Sequence, residues 1–244
     1  EKTKATASYL FMMKITAAAI AVLSIAFAVS PALTAPFSGF TPDQLPIPQV
    51  DPPIQPEGYA FAIWGVIYLW LIISALFGLW KRADDANWHE ARKPLFVSLL
   101  IGVPWIAIAN ASAIWATVTI ILMAICAILA LIRAPKTDRW LFQAPVGIYA
   151  GWLTAASWVS IGTTSAGYGI VIGSVGWAFA GILGALIAAL FVFRIRPAPE
   201  YLLTVVWALV GIIVANNTSI MSISAFAALG IAILVQAILR RQRA

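Results

Sequence analysis

The 244 residues are 62% hydrophobic and 10% charged, with a mean hydropathy of +0.95, whereas soluble domains carry about 25% charged residues. Too little polar surface remains to coat a water-soluble particle, and because a spanning helix takes about 20 apolar residues, seven or eight crossings with their connections fill the chain. The net charge of +6 and pI near 9.7 leave nucleic acid open until the charge is located, and the single cysteine, Cys126, excludes an intrachain disulfide or a cysteine metal cluster.

The first apolar run covers about 9–31 and ends in Ala32-Leu-Thr-Ala-Pro36, which has the look of a secretory signal; it is read here as the first spanning helix. Next comes an outer loop in which Pro31 to Pro56 hold eight of the fourteen prolines, with Phe37, Phe40 and Leu45 between them. Proline lowers the entropy of the free loop, so the segment is expected either to lie over the bundle mouth as a lid or to serve as a tether. Further apolar runs follow at about 59–80, 94–110, 113–132, 140–162, 169–193, 200–215 and 218–239, with Asn110 to Ser112 as the break between the third and fourth. Eight transmembrane helices are expected.

Lys2, Lys4 and Lys14 lie at the start; Lys81, Arg82, Arg92 and Lys93 follow the second run. Arg133, Lys136 and Arg139 follow the fourth, Arg194 and Arg196 the sixth, and Arg240, Arg241 and Arg243 the eighth. All fifteen basic residues thus fall on one side, and the opposite long loop carries Asp43, Asp51 and Glu57. The positive-inside rule places both termini in the cytoplasm. Charge scattered over short loops and tails forms no basic groove, which excludes nucleic acid. His89 is expected to be a solvated residue of the loop KRADDANWHEARK, and Cys126 a small core side chain.

No Asp, Glu, Arg or His lies deep in an apolar run. This argues against a proton-coupled carrier, and no phosphate loop, paired carboxylate or Ser/His/Asp set is present, so no enzyme is expected. Trp80, Trp88 and Trp140 fit an interfacial belt. Trp64, Trp105, Trp152, Trp158, Trp177 and Trp207 point to a protein-lined interior. Gly176, Ala180, Gly184 and Ala188, preceded by Gly169 and Gly173, form a small-residue stripe. Such a stripe packs a helix within the chain or serves as the face of a homodimer or of another membrane subunit.

The second run opens PEGYAFAIWGVIYLWL, with Phe61, Trp64 and Tyr68 on one helical face, and the fifth reads QAPVGIYAGWLTAASWVS, with Tyr149 and Trp152 sharing a face. Over about residues 10–163 this pair resembles the TspO/MBR family, the tryptophan-rich sensory proteins. Departures are Ile148 where the family has proline, Ser160 where it has asparagine, Asn110 and Trp115 five apart, and no basic residue between Tyr168 and Arg194, so the sterol pattern is missing. The resemblance implies an all-α, polytopic membrane bundle: a five-helix core at 1–165 with the Pro-rich outer loop 31–58, and about three further transmembrane helices at 166–244.

It also implies a bacterial cytoplasmic membrane and a pocket for a planar tetrapyrrole, porphyrin, haem or carotenoid, with a sensory or regulatory role. Phe61, Trp64, Tyr68, Trp105, Tyr149 and Trp152 would stack on the ring, and Asn110 or a lid amide would meet its polar edge. Two other readings stand beside it: an accessory subunit of a larger membrane complex, for example a photosynthetic assembly, and a small-solute transporter, for which the two halves show no internal repeat.

Overall fold

The structure is a computed structural model that describes residues 2–242, with side chains described from residue 7. Among the described residues every regular element is helical. These are α1 (Lys2–Val29), α2 (Ile63–Lys81), α3 (Ala86–Gly102), α4 (Trp105–Ala111), α5 (Ala113–Ile132), α6 (Gln143–Gly167), α7 (Ser174–Ile195), α8 (Pro199–Asn216) and α9 (Met221–Gln242), with 3₁₀ turns at Ser30–Leu33, Pro42–Gln44 and Gly58–Ala62. Six helices are long and apolar enough to cross a membrane, and α3 with α4 make a seventh span if the bent pair is taken as one. The chain is a polytopic helical membrane protein.

Local chemistry sets the helix boundaries. Asp85 caps α3 by accepting from the amides of Asn87 and Trp88, and Ser112 caps α5 by accepting from Trp115 N–H. The third apolar run is not one straight helix. It bends by 43° between α3 and α4, where Gly102 and Val103 precede Pro104, a residue with no N–H to continue the ladder and with a ring that disfavours helix before it. α3 also starts earlier than its apolar run. His89 is therefore not a solvated loop residue: it is 3% exposed, edge-on to the Tyr9 ring. Trp88, expected in the interfacial belt, is buried at 1% exposure against Phe142, while Trp80 and Trp140 do stay exposed.

α6 is the axis of the bundle, packed against α2, α5, α7 and α8. Its 25 residues span about 37 Å, more than the roughly 30 Å hydrocarbon core, yet it is too polar to count among the six apolar spans. Burial on nearly all sides explains this: Gln143, Thr154, Ser157, Ser160 and Thr163 all face protein. Glycines permit the contact with α8, since a Cβ on Gly151 would lie 2.5 Å from the carbonyl oxygen of Tyr201. Of the α7 stripe, Gly184 is used within the chain, where the Trp158 ring of α6 occupies the space over it, while Gly176, Ala180 and Ala188 stay half-buried. Gly169 and Gly173 do not lie on α7. Gly169 takes a left-handed φ of +66° in the turn after α6, and Gly173 is the N-cap of α7.

The connections α2–α3, α5–α6 and α7–α8 meet at one end. Arg82 donates Nε to Asp138 Oδ2 at 2.7 Å, Arg139 donates to Glu200 at 2.6 Å and 2.9 Å, and Arg196 donates to Gln143 Oε1 at 2.7 Å and to the Pro135 carbonyl at 3.2 Å. Arg92 caps the C-terminus of α2, donating to the carbonyls of Gly78 (2.8 Å) and Arg82 (3.0 Å), a position the helix dipole favours. The Pro-rich loop lies at the other end.

Candidate functional site

Six helices and the Pro-rich loop line a cavity of about 360 Å³, at the lower end of the range for small-molecule sites. Phe61, on the 3₁₀ turn before α2, and Trp64 and Tyr68 on α2 recur every three or four residues and so face the same way. From α6, Trp152, Ala156, Ser160 and Thr163 line the opposite wall on the same helical period. The rings form a connected set. Trp64 stacks on Tyr68 at 5.3 Å and 18°, and Trp152 stands edge-on to Trp64 at 6.2 Å and to Phe61 at 5.7 Å. Phe27 of α1 is edge-on to both Trp64 and Tyr68. Trp105 of α4 closes another side and donates its N–H to the Ala116 carbonyl, which fixes its ring.

The loop is the roof. Pro36, Phe37, Phe40, Gln55 and Pro56 line the cavity, and Phe37 meets Trp105 edge-on at 5.3 Å. The roof is pinned to three helices: Gln44 Nε2 donates to the Ala109 carbonyl (2.7 Å), Ile47 N–H to the Gly167 carbonyl (2.8 Å), and Asn216 Nδ2 to the Pro53 carbonyl (2.8 Å). Leu45 and Ile54 are buried anchors, Leu45 over Gly167 and Ile54 wedged between Gly162 of α6 and Gly181 of α7. α8 also takes part, because Ala208 lines the cavity and Trp207 donates its N–H to the Ala60 carbonyl, holding the turn that carries Phe61.

Of the residues expected at the site, Phe61, Trp64, Tyr68, Trp105 and Trp152 come together around this cavity. Tyr149 and Asn110 stand outside its wall. Tyr149 is fully buried behind Phe27, its hydroxyl 2.9 Å from Ser98 Oγ, and Asn110 Nδ2 is engaged by the Ala35 carbonyl at 2.9 Å, so it ties down the roof. Phe27, Met123 and Thr163 were not anticipated. Thr163 continues the period set by Trp152 and Ser160 and was legible; Phe27 and Met123 reach the cavity only through packing of distant helices.

The residues present offer aromatic faces to a flat ring but do not fit haem or a free porphyrin acid. Among the described residues no histidine or cysteine lines the cavity, no Lys or Arg is there to receive a carboxylate, and Met123 is the one soft donor. Among the described residues no group of His, Cys, Asp and Glu could hold a metal ion.

With its aromatic chamber under a proline-rich roof, the chain is by its geometry a polytopic helical membrane bundle. Comparison with known families matches residues 10–240 to the family described as TSPO-like protein. The chain belongs to this family, and the match continues beyond residue 163 through α7, α8 and α9. Neither the curated proteins nor the solved structures offer a match.

Proposed function

We propose that this TSPO-like protein binds a planar, largely apolar ligand in the chamber between α2 and α6, and that it works in a sensory or regulatory role instead of catalysing a reaction. The observation that carries the reading is the chamber itself: about 360 Å³, walled by Phe27, Phe61, Trp64, Tyr68, Trp105 and Trp152 and covered by a tied-down loop. Aromatic faces turned into a void favour a flat ring, which gains edge-to-face and stacked contacts beyond simple burial. Among the described residues, none that lines it is a carboxylate, histidine, lysine or arginine. A tetrapyrrole-type ring remains within this reading only with its acid groups masked.

The same reading places the chain in a bacterial cytoplasmic membrane with both termini in the cytoplasm. Support comes from the gathering of Arg82, Arg92, Arg139 and Arg196 at one end of the bundle and of Asp43, Asp51 and Glu57 in the loop at the other.

Purification in mild detergent with mass spectrometry of bound small molecules tests the function. The wild type is expected to retain a conjugated compound near one per chain, and Trp64→Leu with Trp152→Leu to lose it while keeping its helical circular dichroism. A chain recovered without any compound, but with foreign subunits in fixed ratio, would sink this reading and make the protein an accessory subunit.

A further inference from the structure

His89 is the single histidine of the chain, and the chamber does not use it. It sits in the first turn of α3, behind the Asp85 cap and ahead of the apolar run that begins near residue 94, so it lies outside the spanning stretch. His89 is 3% exposed, its ring stands edge-on to Tyr9 of α1 at 5.7 Å and 83°, and Nδ1 is buried with no hydrogen-bond partner among the described residues. From Tyr9 the buried face of α1 runs on through Met13, Ala17, Ile20 and Ser24 to Phe27. Ser24 Oγ, on that face, is likewise buried without a partner. A buried polar atom left unpaired costs stability, so α1 is held by a seam that starts with a weak point.

An imidazolium in this place meets no free anion. On α3, Arg92 and Lys93 follow one turn on, and the Glu90 carboxylate is taken by Lys93, with Arg133 of the α5–α6 connection also near it. In the α2–α3 connection Asp85 is engaged by the amides of Asn87 and Trp88, and Asp84 stays exposed. α1 presents the Tyr9 phenol ring, and its charged residues, Lys2, Lys4 and Lys14, are all cations. The helix N-terminus adds a further positive end. Burial first, then Lys93, with Glu90 opposing and Arg92 assisting, hold the His89 pKa below the ordinary 6.5. The neutral ring therefore favours the packed state, whose advantage is complete above 6.5 and is lost as the pH falls through the lower folded value. We propose that the contact of His89 with Tyr9 is an acid-sensitive joint: a proton on the ring drives it out to water and frees the N-terminal half of α1 from α3. The inference is independent of the chamber and of what it binds.

Hydrogen exchange of residues 7–16 in the full chain in neutral detergent, corrected for the intrinsic pH dependence of amide exchange, reads the joint. From about pH 7.5 to about pH 5 the corrected rate is expected to rise about tenfold in the wild type. In His89→Gln, whose amide does not titrate, it is expected to stay at its low value. Because the chain has one histidine, selective ¹⁵N labelling follows this ring alone in the unaltered protein. The ring is expected to titrate below the ordinary 6.5, with the same midpoint as the exchange. A wild-type rate that is flat across this range overturns the proposal, whatever the ring does, and so does an equal rise in His89→Gln, which assigns the response to another group. If His89→Gln loses its helical circular dichroism, the two wild-type midpoints decide alone: coincidence supports the joint, and a separation of about one pH unit or more overturns it.

Discussion

Asp138 gathers three donors on one carboxylate: Arg82 Nε and Nη2 at 2.7 Å and 3.2 Å, and Trp88 Nε1 at 3.1 Å. The Arg82 hydrogen bond holds its pKa below the ordinary 3.8, with partial burial opposing and Trp88 assisting. The ionised form therefore favours the folded state. Its contribution is complete above the unfolded value and is lost as the pH falls below about 3.8 through the lower folded value. Asn tolerates the left-handed backbone found here, φ 57°, so Asp138→Asn isolates the charge. We expect it to cost about 1–3 kcal/mol at neutral pH and nothing near the acid limit, read from thermal unfolding in detergent across the pH range. Gly151 is the steric counterpart. A Cβ there meets the backbone of Tyr201 and lies 2.9 Å from Thr204 Cβ, so Gly151→Ala is expected to destabilise by about 1–3 kcal/mol. Gly65→Ala, where a Cβ would find open space, is expected to be neutral or stabilising in the same assay. Four small residues recur on α7 at the same spacing as Gly147 and Gly151 on α6, but Gly184 meets the Trp158 side chain whereas Gly151 meets backbone, which cannot move aside.

At the scale of elements, apolar runs locate the helices because length and hydropathy are local properties. They miss what depends on a neighbour. The early start of α3 has a local signature in its Asp85 cap, but the burial of Trp88, His89 and Arg92 follows from contacts with α1, α2 and the α5–α6 connection, which have none. The 43° bend did have one, in Gly102-Val-Pro104. Helical spacing sets Phe61, Trp64 and Tyr68 on one face and Tyr149 and Trp152 on another, and the family resemblance made these faces legible as a site, whereas Asn110 looked free only because its partner, the Ala35 carbonyl, lies 75 residues away. Asn110 and Gln44 fasten the roof to α4. Replacing both with Ala is expected to loosen the α4 side of the roof, residues 31–44, raising their hydrogen exchange and the dissociation rate of a chamber ligand about tenfold, with the helical content unchanged.

For the whole molecule, the basic end and the roofed end define an orientation that labelling can test. In a Cys126→Ala background, a single cysteine at Val50 is expected to react with an impermeant maleimide added outside intact cells, and one at Arg241 only after lysis. The reverse pattern would invert the topology. α6, meanwhile, is surrounded by α2, α5, α7 and α8 and is less apolar than the spans around it. During synthesis it leaves the ribosome before α7 and α8 exist. At that moment the flank bearing Gly151, Thr154 and Thr204's future contact lacks its cover, and hydrocarbon is a poor solvent for exposed hydroxyls and backbone. Stable membrane integration of the fifth crossing is thus expected to wait for α7 and α8, and in a chain stalled just as residue 167 clears the ribosome α6 is expected still to exchange with the aqueous translocation channel.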